Sequence, residues 1–226
     1  MNVLAIDTSS TACVLGLQVD DQRDADVRIS GRSHSRDILP AISELLSANQ
    51  VSLSQLDCIV FGQGPGSFTG LRIAVGVVQG LGYGLDVPVV PVSSLACLAQ
   101  AAYEATGNSR IVVALHARQE EVYLGVYEAA DSFVRAISDE TVIDVNDISP
   151  LLTDDWIGVG DGWILRAQLE SALGKKMLSV TTDVHPDPDA LLNLGIDGFK
   201  SGRSIDAIDA RPEYLREQVA TPSKKQ

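Results

Sequence analysis

The chain has 226 residues, of which 45% are apolar and 21% are charged, a balance typical of globular domains and not of disordered chains. Its 17 basic and 30 acidic residues give a formal net charge of −13, which argues against general binding to nucleic-acid phosphates and leaves only local basic contacts. No apolar run reaches the roughly 20 residues of a membrane span, and the first residues lack the basic region of a signal peptide. Cys13, Cys58 and Cys97 have neither disulfide nor metal-ligand spacing, so we expect a cytoplasmic protein.

The first half of the chain predicts strands and helices in the order βββαβαβα. A short apolar stretch that ends at Asp7 begins an antiparallel meander, and a helical period follows from Ser33. The predicted elements are strands over 3–6, 12–19 and 25–29, a helix over 33–48, a strand over 56–61, a helix that ends near 85, a strand over 87–92 and a helix over 93–103. The polar residues Thr106–Ser109 predict a boundary.

The second half begins again with strands, over 111–115, 121–127 and 133–137. A strand over 156–159 and helices over 164–173 and 189–199 follow. A strand meander followed by alternating elements, seen twice, suggests two related halves. We expect one half over 1–106, completed by the segment 207–220, a second half over 107–206, and a flexible tail over 221–226.

The glycine-rich segment Gly62–Arg72 joins a strand to a helix, where backbone N–H groups can hold an anion. It matches neither the Walker pattern nor GxGxxG. A purely structural turn is therefore the favoured interpretation, and phosphate binding is the alternative. The triplet Asp7-Thr8-Ser9 has two similar interpretations, a site for metal-bound phosphate or, preferably, a capped polar turn.

The helix after this segment is apolar nearly all round and has an unusual set of glycines. Gly76, Gly80 and Gly84 recur at every fourth position and form a bare stripe, with Gly82 in addition. Each glycine inside a helix costs about 0.8–1 kcal/mol relative to alanine. Close approach of a second helix would offset this cost. Packing within the chain and a subunit interface are equally supported by the spacing.

No pairing of nucleophile and base stands out, and there is no Gly-x-Ser-x-Gly elbow. His34, His116 and His185 are isolated, although His185 lies near two aspartates in a loop that we interpret as solvated. Near the C-terminus, Arg211–Arg216 combines an aromatic residue with two arginines. It is either a docking element or an ordinary amphipathic end.

Several motifs, in their order along the chain, resemble the bacterial TsaB (YeaZ) family of tRNA threonylcarbamoyladenosine biosynthesis. The most specific is Gly-Pro-Gly-Ser-Phe-Thr-Gly-Leu-Arg over 64–72. The weaker matches are Leu4–Ser9, His34-Ser35, Pro91–Leu95, Ala117-Arg118 with Glu121–Tyr123, and Tyr214–Arg216. The chain departs from the family pattern at His116, where an aspartate is usual.

This resemblance implies an α/β, actin-like ATPase (ASKHA) fold with two RNase H-like halves, mixed sheets and packed helices. It also implies a non-catalytic subunit that binds and activates TsaD, the paralogue that transfers threonylcarbamoyl to adenosine 37 of ANN-decoding tRNAs. The ATPase TsaE joins the complex, and family members form homodimers through the same face. We expect tRNA contact to be indirect or local, and no membrane partner.

The resemblance also implies the site residues. The helices over 34–48 and 67–85 match the partner face, whose expected residues are Ile38, Ile42, Leu45, Phe68, Arg72, Ile73, Gly76, Gly80, Tyr83 and Gly84. Nucleotide loops of this fold match Asp7, Thr8, Ser9, Gly160, Asp161 and Gly162. Ser94 and Leu98 occupy the place of the paralogue's His-x-x-x-His metal motif, so we expect neither catalytic nor metal-binding residues. We expect no cofactor requirement of this chain, and ATP or ADP only in the complex.

Two alternatives remain. A free-standing ATP-dependent phosphotransferase of the same fold is suggested by Asp7-Thr8-Ser9 and the two glycine loops, although 226 residues is short for such a kinase. A peptidase is suggested because the TsaB and TsaD family has at times been classed with metallopeptidases. The lack of a His-x-x-x-His motif argues against it.

Overall fold

The computed structural model describes residues 1–29, 33–149, 152 and 154–215. Its strands are β1 (Asn2–Asp7), β2 (Ala12–Val19), β3 (Gln22–Ile29), β4 (Cys58–Gly64), β5 (Val89–Ser93), β6 (Arg110–Arg118), β7 (Glu121–Ala130), β8 (Phe133–Ala136), β9 (Thr141–Asp144), β10 (Ile157–Val159) and β11 (Val180–Thr181). Its helices are α1 (His34–Ala48), α2 (Phe68–Leu85), α3 (Ser94–Thr106), α4 (Arg166–Leu173) and α5 (Pro188–Lys200). The predicted tail, the end of the segment 207–220 and Arg216 lie outside the described residues.

The first five strands form one mixed sheet in the order β3-β2-β1-β4-β5. β1 pairs antiparallel with β2 and parallel with β4, so two parallel strands extend the initial meander. Alternate residues of β1 face opposite sides, with Val3 and Ala5 in one core and Leu4 and Ile6 in another. Because helices cover both faces, the central strands are almost continuously apolar.

The second sheet repeats this order as β8-β7-β6-β10-β11, with β9 added beside β7. β6 corresponds to β1, since it pairs antiparallel with β7 and parallel with β10. The same strand order and the same mixture of directions occur in both sheets. The predicted pair of related, mixed-sheet halves is therefore confirmed. The division between 1–106 and 107–206 stays a prediction.

The helices form three layers around the two sheets. α1 and α2 cover the outer face of the first sheet, and α4 packs on the outer face of the second. α3 and α5 lie between the sheets in a shared core. Their main contacts are exchanged between the sheets. α3 follows the first sheet and contacts its strands β4 and β5, but it packs mainly on β6, β7 and β8, whereas α5 follows the second sheet and packs on β1, β2, β4 and β5.

After α5 the chain returns to the first sheet and runs along α2. Ile205 and Val89 exchange two backbone hydrogen bonds of 2.8 and 3.0 Å, which extends the sheet at its β5 edge. The Gln79 side chain of α2 donates to the carbonyl of Ala210 at 2.9 Å. The segment then reaches the first turn of α2 at Tyr214. This path is compatible with the predicted completion of the first half by 207–220.

The predicted order βββαβαβα of the first half is confirmed, with ends shifted by a few residues. The short strands β9 and β11, of four and two residues, were not predicted, since neither is long enough to show a period. The helix predicted over 164–173 begins with a 3₁₀ turn, Asp161–Leu165, and α4 itself starts at Arg166. Within the described part of the chain, no helix has the length and hydrophobicity needed to span a membrane.

Candidate partner surface and cleft

The glycine-rich loop between β4 and α2 packs against the turn that follows β1. The N–H of Ser67 donates to the carbonyl of Ser9 at 2.7 Å, and the Thr8 hydroxyl donates to the carbonyl of Gly70 at 2.7 Å. A Cβ at Gly66 would lie 2.5 Å from the carbonyl oxygen of Ser9, and one at Gly70 would lie 1.8 Å from that of Thr8. These contacts support a structural turn, because the Ser67 amide that an anion would use already has a partner.

Asp7 is a fully buried carboxylate at the end of β1. Its Oδ1 accepts a hydrogen bond from the N–H of Ser9 at 2.6 Å, and its Oδ2 has no partner among the described residues. A Cβ at Gly62 would lie 1.7 Å from Oδ2, so only glycine leaves room for the carboxylate. Burial raises the pKa of Asp7 from 3.8 to about 6, although the hydrogen bonds of Ser9 and the charge of His34 oppose this rise.

A cleft of about 460 Å³ lies where central strands of both sheets reach their carboxyl ends. Its polar lining consists mainly of hydroxyl groups, with two histidines and one carboxylate. These residues are Ser9, Ser10, Thr11, Ser67, Ser94, Tyr123, His116, His185 and Asp161. Among the described residues, neither lysine nor arginine lines the cleft. A phosphate would therefore find hydroxyl groups but no permanent cation.

The segment Gly160-Asp161-Gly162 packs against the end of β6. Gly160 has a φ of +111°, and a Cβ there would lie 2.2 Å from the carbonyl oxygen of Ala114. Asp161 Oδ1 accepts a hydrogen bond from the backbone N–H of His116 at 2.8 Å. The glycines and the aspartate therefore have local structural roles, whether or not a nucleotide binds.

The cleft brings together two of the six predicted nucleotide-binding residues, Ser9 and Asp161. The others are buried or packed beside it, and nucleotide binding stays a prediction. Ser94 and Leu98, at the expected position of the paralogue's metal motif, both line the cleft. Ser94 Oγ is buried without a partner in the described residues. Within those residues, no group of three or more histidine, cysteine, aspartate or glutamate side chains is placed to hold a metal ion.

The three cysteines do not supply a nucleophile. All are free and buried. Burial raises the pKa of Cys13 to about 11 and that of Cys58 to about 12, and it raises the pKa of Cys97 well above its ordinary value. Since the thiolate is the reactive form of cysteine, these side chains are inert near neutral pH.

The glycines of α2 divide into two groups. Gly82 packs within the chain, since a Cβ there would lie 2.6 Å from Ala207 Cβ. A Cβ at Gly76, Gly80 or Gly84 would meet no heavy atom within 4 Å. The stripe formed by these three glycines, here called the glycine face, is therefore open to solvent. No close contact within the described chain explains it.

An aromatic and cationic cluster lies at the end of the glycine face nearest the N-terminus of α2. The guanidinium carbon of Arg72 lies 3.9 Å from the centroid of the Phe68 ring, and Arg72 Nε donates to the hydroxyl of Tyr214 at 3.1 Å. The Phe68 and Tyr214 rings are 5.7 Å apart. We call these three side chains the Arg72 cluster. The sequence singled out Tyr214 within a weak motif and within the candidate docking element Arg211–Arg216, but nothing in the sequence places it against α2.

Burial corrects part of the predicted interface. Ile38, Ile42 and Leu45 of α1 are 1, 2 and 5% exposed and belong to the core under the first sheet, so they do not form a surface for a partner. The helical period had correctly placed them on one face, but that face points inward. Leu39 is the exposed apolar residue of α1, at 54%, and was not predicted.

The predicted residues of α2 have a different environment. Phe68 is 45% exposed and Tyr83 is 78% exposed. Arg72, Gly76, Gly80 and Gly84 are also exposed, and Ile73 is partly buried. These residues remain a predicted partner surface.

The chain was compared with known families, curated proteins and solved structures. The family model described as "TsaD: tRNA N6-adenosine threonylcarbamoyltransferase" matches residues 28–220. The tRNA threonylcarbamoyladenosine biosynthesis protein TsaB of Escherichia coli (strain K12) is 34% identical, with 97% of this chain and 96% of that protein covered. TsaB of Bacillus subtilis (strain 168) is 31% identical over 96% of this chain and 94% of its own length.

Solved structures give the same result. A structure titled "YeaZ from Pseudomonas aeruginosa" superposes with a TM-score of 0.89 and 36% identity, over 94% of this chain and 99% of that one. The predicted α/β fold of two mixed sheets with packed helices is confirmed. Sequence relatives across nearly the full length, the family model and the superposed fold all agree: this chain belongs to the TsaB (YeaZ) family of tRNA threonylcarbamoyladenosine biosynthesis.

Proposed function

We propose that this chain is a non-catalytic subunit that docks on a TsaD-type enzyme through the glycine face of α2 and thereby supports threonylcarbamoyl transfer to tRNA. In this proposal the complex acts in the cytoplasm, with TsaE as a third subunit. Any ATP or ADP is used by the complex and is not required by this chain. The strongly acidic chain contacts tRNA only locally or through its partners.

One observation carries the proposal: the glycine face is open although it is costly to keep. Glycine in a helix interior costs about 0.8–1 kcal/mol relative to alanine. Elsewhere in the described chain, the glycines are explained by close packing, as at Gly195, where a Cβ would lie 2.2 Å from Val60 Cγ2, or by a positive φ, as at Gly107 and Gly202. Gly76 and Gly80 have no such neighbour. A helix of another subunit would supply the missing contact, because bare glycines let two helix axes approach closely.

The family match supports the proposed identity of the partner. The chain matches the TsaD family model over 28–220, so a TsaD-type enzyme has related elements with which to form a paired interface. A homodimer through the same face is also part of the proposal. Each copy carries a formal charge of −13, which opposes self-association and favours a less acidic partner.

The non-catalytic role is supported by the lining of the cleft. Ser94 and Leu98 stand where the paralogue is expected to carry metal-binding histidines, and neither side chain is a good metal ligand. The three buried thiols are also unsuited to covalent catalysis.

The test is light scattering after size exclusion, with this chain alone and mixed with TsaD from the same organism. We expect a homodimer that converts into a heterodimer. Gly80→Leu should weaken the heterodimer strongly, because the leucine side chain holds the two helices apart, and overpacking of this kind costs about 1–3 kcal/mol, or roughly 5- to 150-fold in affinity. Ala167→Leu, a similar enlargement at an exposed position of α4, is the control and should leave the complex intact.

Two outcomes of this experiment would contradict the proposal. A Gly80→Leu chain that binds TsaD as tightly as the wild type would remove the glycine face from the interface. A wild-type chain that stays monomeric and ignores TsaD would overturn the docking function as a whole.

A second candidate, an ATP-dependent phosphotransferase, rests on one observation. Asp7, whose Oδ2 has no partner among the described residues, lies two residues before Ser9, which lines the cleft of about 460 Å³ between the two sheets, and a carboxylate can hold Mg²⁺. The absence of lysine and arginine from the described lining disfavours it. Magnesium-dependent ATP turnover by this chain alone, lost in Asp7→Ala, would establish this function. Equal background turnover in both would exclude it.

A further inference from the structure

The Arg72 cluster contains a guanidinium that is held in place but not neutralised. Phe68 stacks on its face and the Tyr214 hydroxyl accepts from Nε, which fixes the plane of the group. No hydrogen bond to the terminal nitrogens is found within the described residues. These nitrogens form the fork that arginine uses for bidentate binding of carboxylates.

This arrangement is unusual for this chain. Most other described arginines bind a carboxylate of the chain itself: Arg23, Arg28, Arg36, Arg110, Arg135, Arg166, Arg203 and Arg211. Arg72 has no carboxylate within ion-pair distance in the described residues, although the chain holds 30 acidic residues. The cluster therefore positions a cation and leaves its ligand to come from outside.

The position of Arg72 connects it to the glycine face. Phe68, Arg72, Gly76, Gly80 and Gly84 recur at every fourth position and so lie along one stripe of α2. A helix seated on the glycines passes within reach of the guanidinium. The first turn of α2 adds the positive end of the helix dipole at the same place, which also favours an anion.

We propose that Arg72 anchors the docked partner by binding an aspartate or glutamate side chain on the TsaD-type subunit, with Tyr214 as a positioning residue. The inference rests on the proposed docking function and names the chemistry that its partner must present. The surroundings favour a protein carboxylate over a nucleic-acid phosphate. Phe68 and Tyr214 are 45 and 41% exposed. Their rings provide apolar surface beside the guanidinium, which a packed helix would cover. The net charge of −13 repels a phosphate backbone.

The experiment is calorimetric titration of TsaD with the full chain and its variants, at low and high salt. Arg72→Gln should raise the dissociation constant about tenfold or more, as is common for a central arginine anchor. Arg72→Lys should recover only part of the affinity, because an ammonium group cannot bind a carboxylate as a planar fork. Tyr214→Phe should cause a smaller loss, since it removes the hydroxyl but keeps the ring. The wild-type affinity should fall more steeply with salt than that of Arg72→Gln.

Arg166→Gln is the matched control. It removes the same charge from an exposed arginine on α4 and should leave the affinity unchanged. Arg72→Glu should bind more weakly than Arg72→Gln. Rescue of Arg72→Glu by an aspartate or glutamate to lysine change on TsaD would identify the ligand and establish the pair.

The failures are distinguishable. If Gly80→Leu weakens binding strongly while Arg72→Gln binds TsaD like the wild type, the docking function stands and the anchor is wrong. If Arg72→Gln affects only binding to a tRNA anticodon stem-loop, the fork binds phosphate and the proposal is overturned. If the wild-type chain does not bind TsaD, both proposals fall.

Discussion

At the scale of single residues, the feature with the clearest measurable consequence is Asp7. Its burial stabilises the neutral acid, so its pKa in the folded state lies at about 6 against 3.8 for the ordinary side chain. A raised carboxyl pKa means that the folded state holds its proton more tightly than the unfolded state. Ionised Asp7 is therefore tolerated by the fold and does not stabilise it.

We predict that the stability of the wild type, relative to that of Asp7→Asn, is greatest below pH 4 and falls as the pH rises to 7. Between these limits Asp7 ionises against its burial, and the difference should change by up to about 3 kcal/mol. Urea unfolding of both proteins at pH 4 and pH 7.5 measures it, and the comparison cancels other titrating groups. A stability difference between the two proteins that is the same at both pH values would mean that Asp7 is solvated or paired in solution.

The sequence alone predicted where Asp7, Thr8 and Ser9 lie along the fold, because a strand end followed by hydroxyl residues is a local pattern. It did not predict that the carbonyls of Thr8 and Ser9 come within reach of Gly70 and Gly66, since these contacts link residues far apart in sequence. The contact of Tyr214 with α2 was not predicted for the same reason. Its partner Phe68 is separated from it by most of the chain.

At the scale of elements, the glycines of α2 have two different roles. Gly82 packs within the chain, against Ala207 and Val89, whereas Gly76 and Gly80 are open. The sequence predicted the stripe with Gly82 beside it, and only the tertiary structure shows which of these glycines is covered within the chain. In α1 the sequence led to an error, because apolar residues that face the core were predicted to face a partner. Its apolar period is that of a helix on a core, and the period does not tell which apolar face is left for a partner.

We predict that Gly76→Ala combined with Gly80→Ala stabilises the isolated chain by about 1.5–2 kcal/mol, because each methyl group meets open space and each alanine favours the helix. Gly82→Ala should instead destabilise it, since its Cβ would lie 2.6 Å from that of Ala207. Chemical denaturation of the three proteins makes the comparison. A loss of stability in the double variant, measured at a concentration at which the chain is monomeric, would show that the glycine face is covered within the chain.

At the scale of the whole molecule, the two sheets share one strand order. The repeated meander in the sequence predicted two related halves, but it did not predict the strand order itself. The exchange of α3 and α5 was not predicted. Their apolar faces have the same period whichever sheet they cover, so the local sequence does not predict which sheet each helix packs on.

We predict that neither half folds alone. A fragment of residues 1–106 lacks α5, and so exposes the inner face of the first sheet, including Val3, Ala5, Cys58 and Val60. It should bind a hydrophobic dye and unfold without a cooperative transition, and addition of the fragment 107–226 should restore cooperativity. Calorimetry of the separate and mixed fragments tests this. A sharp transition from 1–106 alone would contradict it.

The packing of α5 on the first sheet also causes a delay during synthesis, between the completion of the sheet and the arrival of the helix that covers it. The last strand of the first sheet ends at Ser93, and the helix that covers the sheet's inner face ends at Lys200. At translation rates of roughly 5–20 residues per second, that helix leaves the ribosome roughly 5–20 s after the strand. During this interval the nascent chain carries a largely apolar surface that no later segment has yet reached. A holding chaperone has its natural binding period there, and slow codons between the two elements would lengthen it.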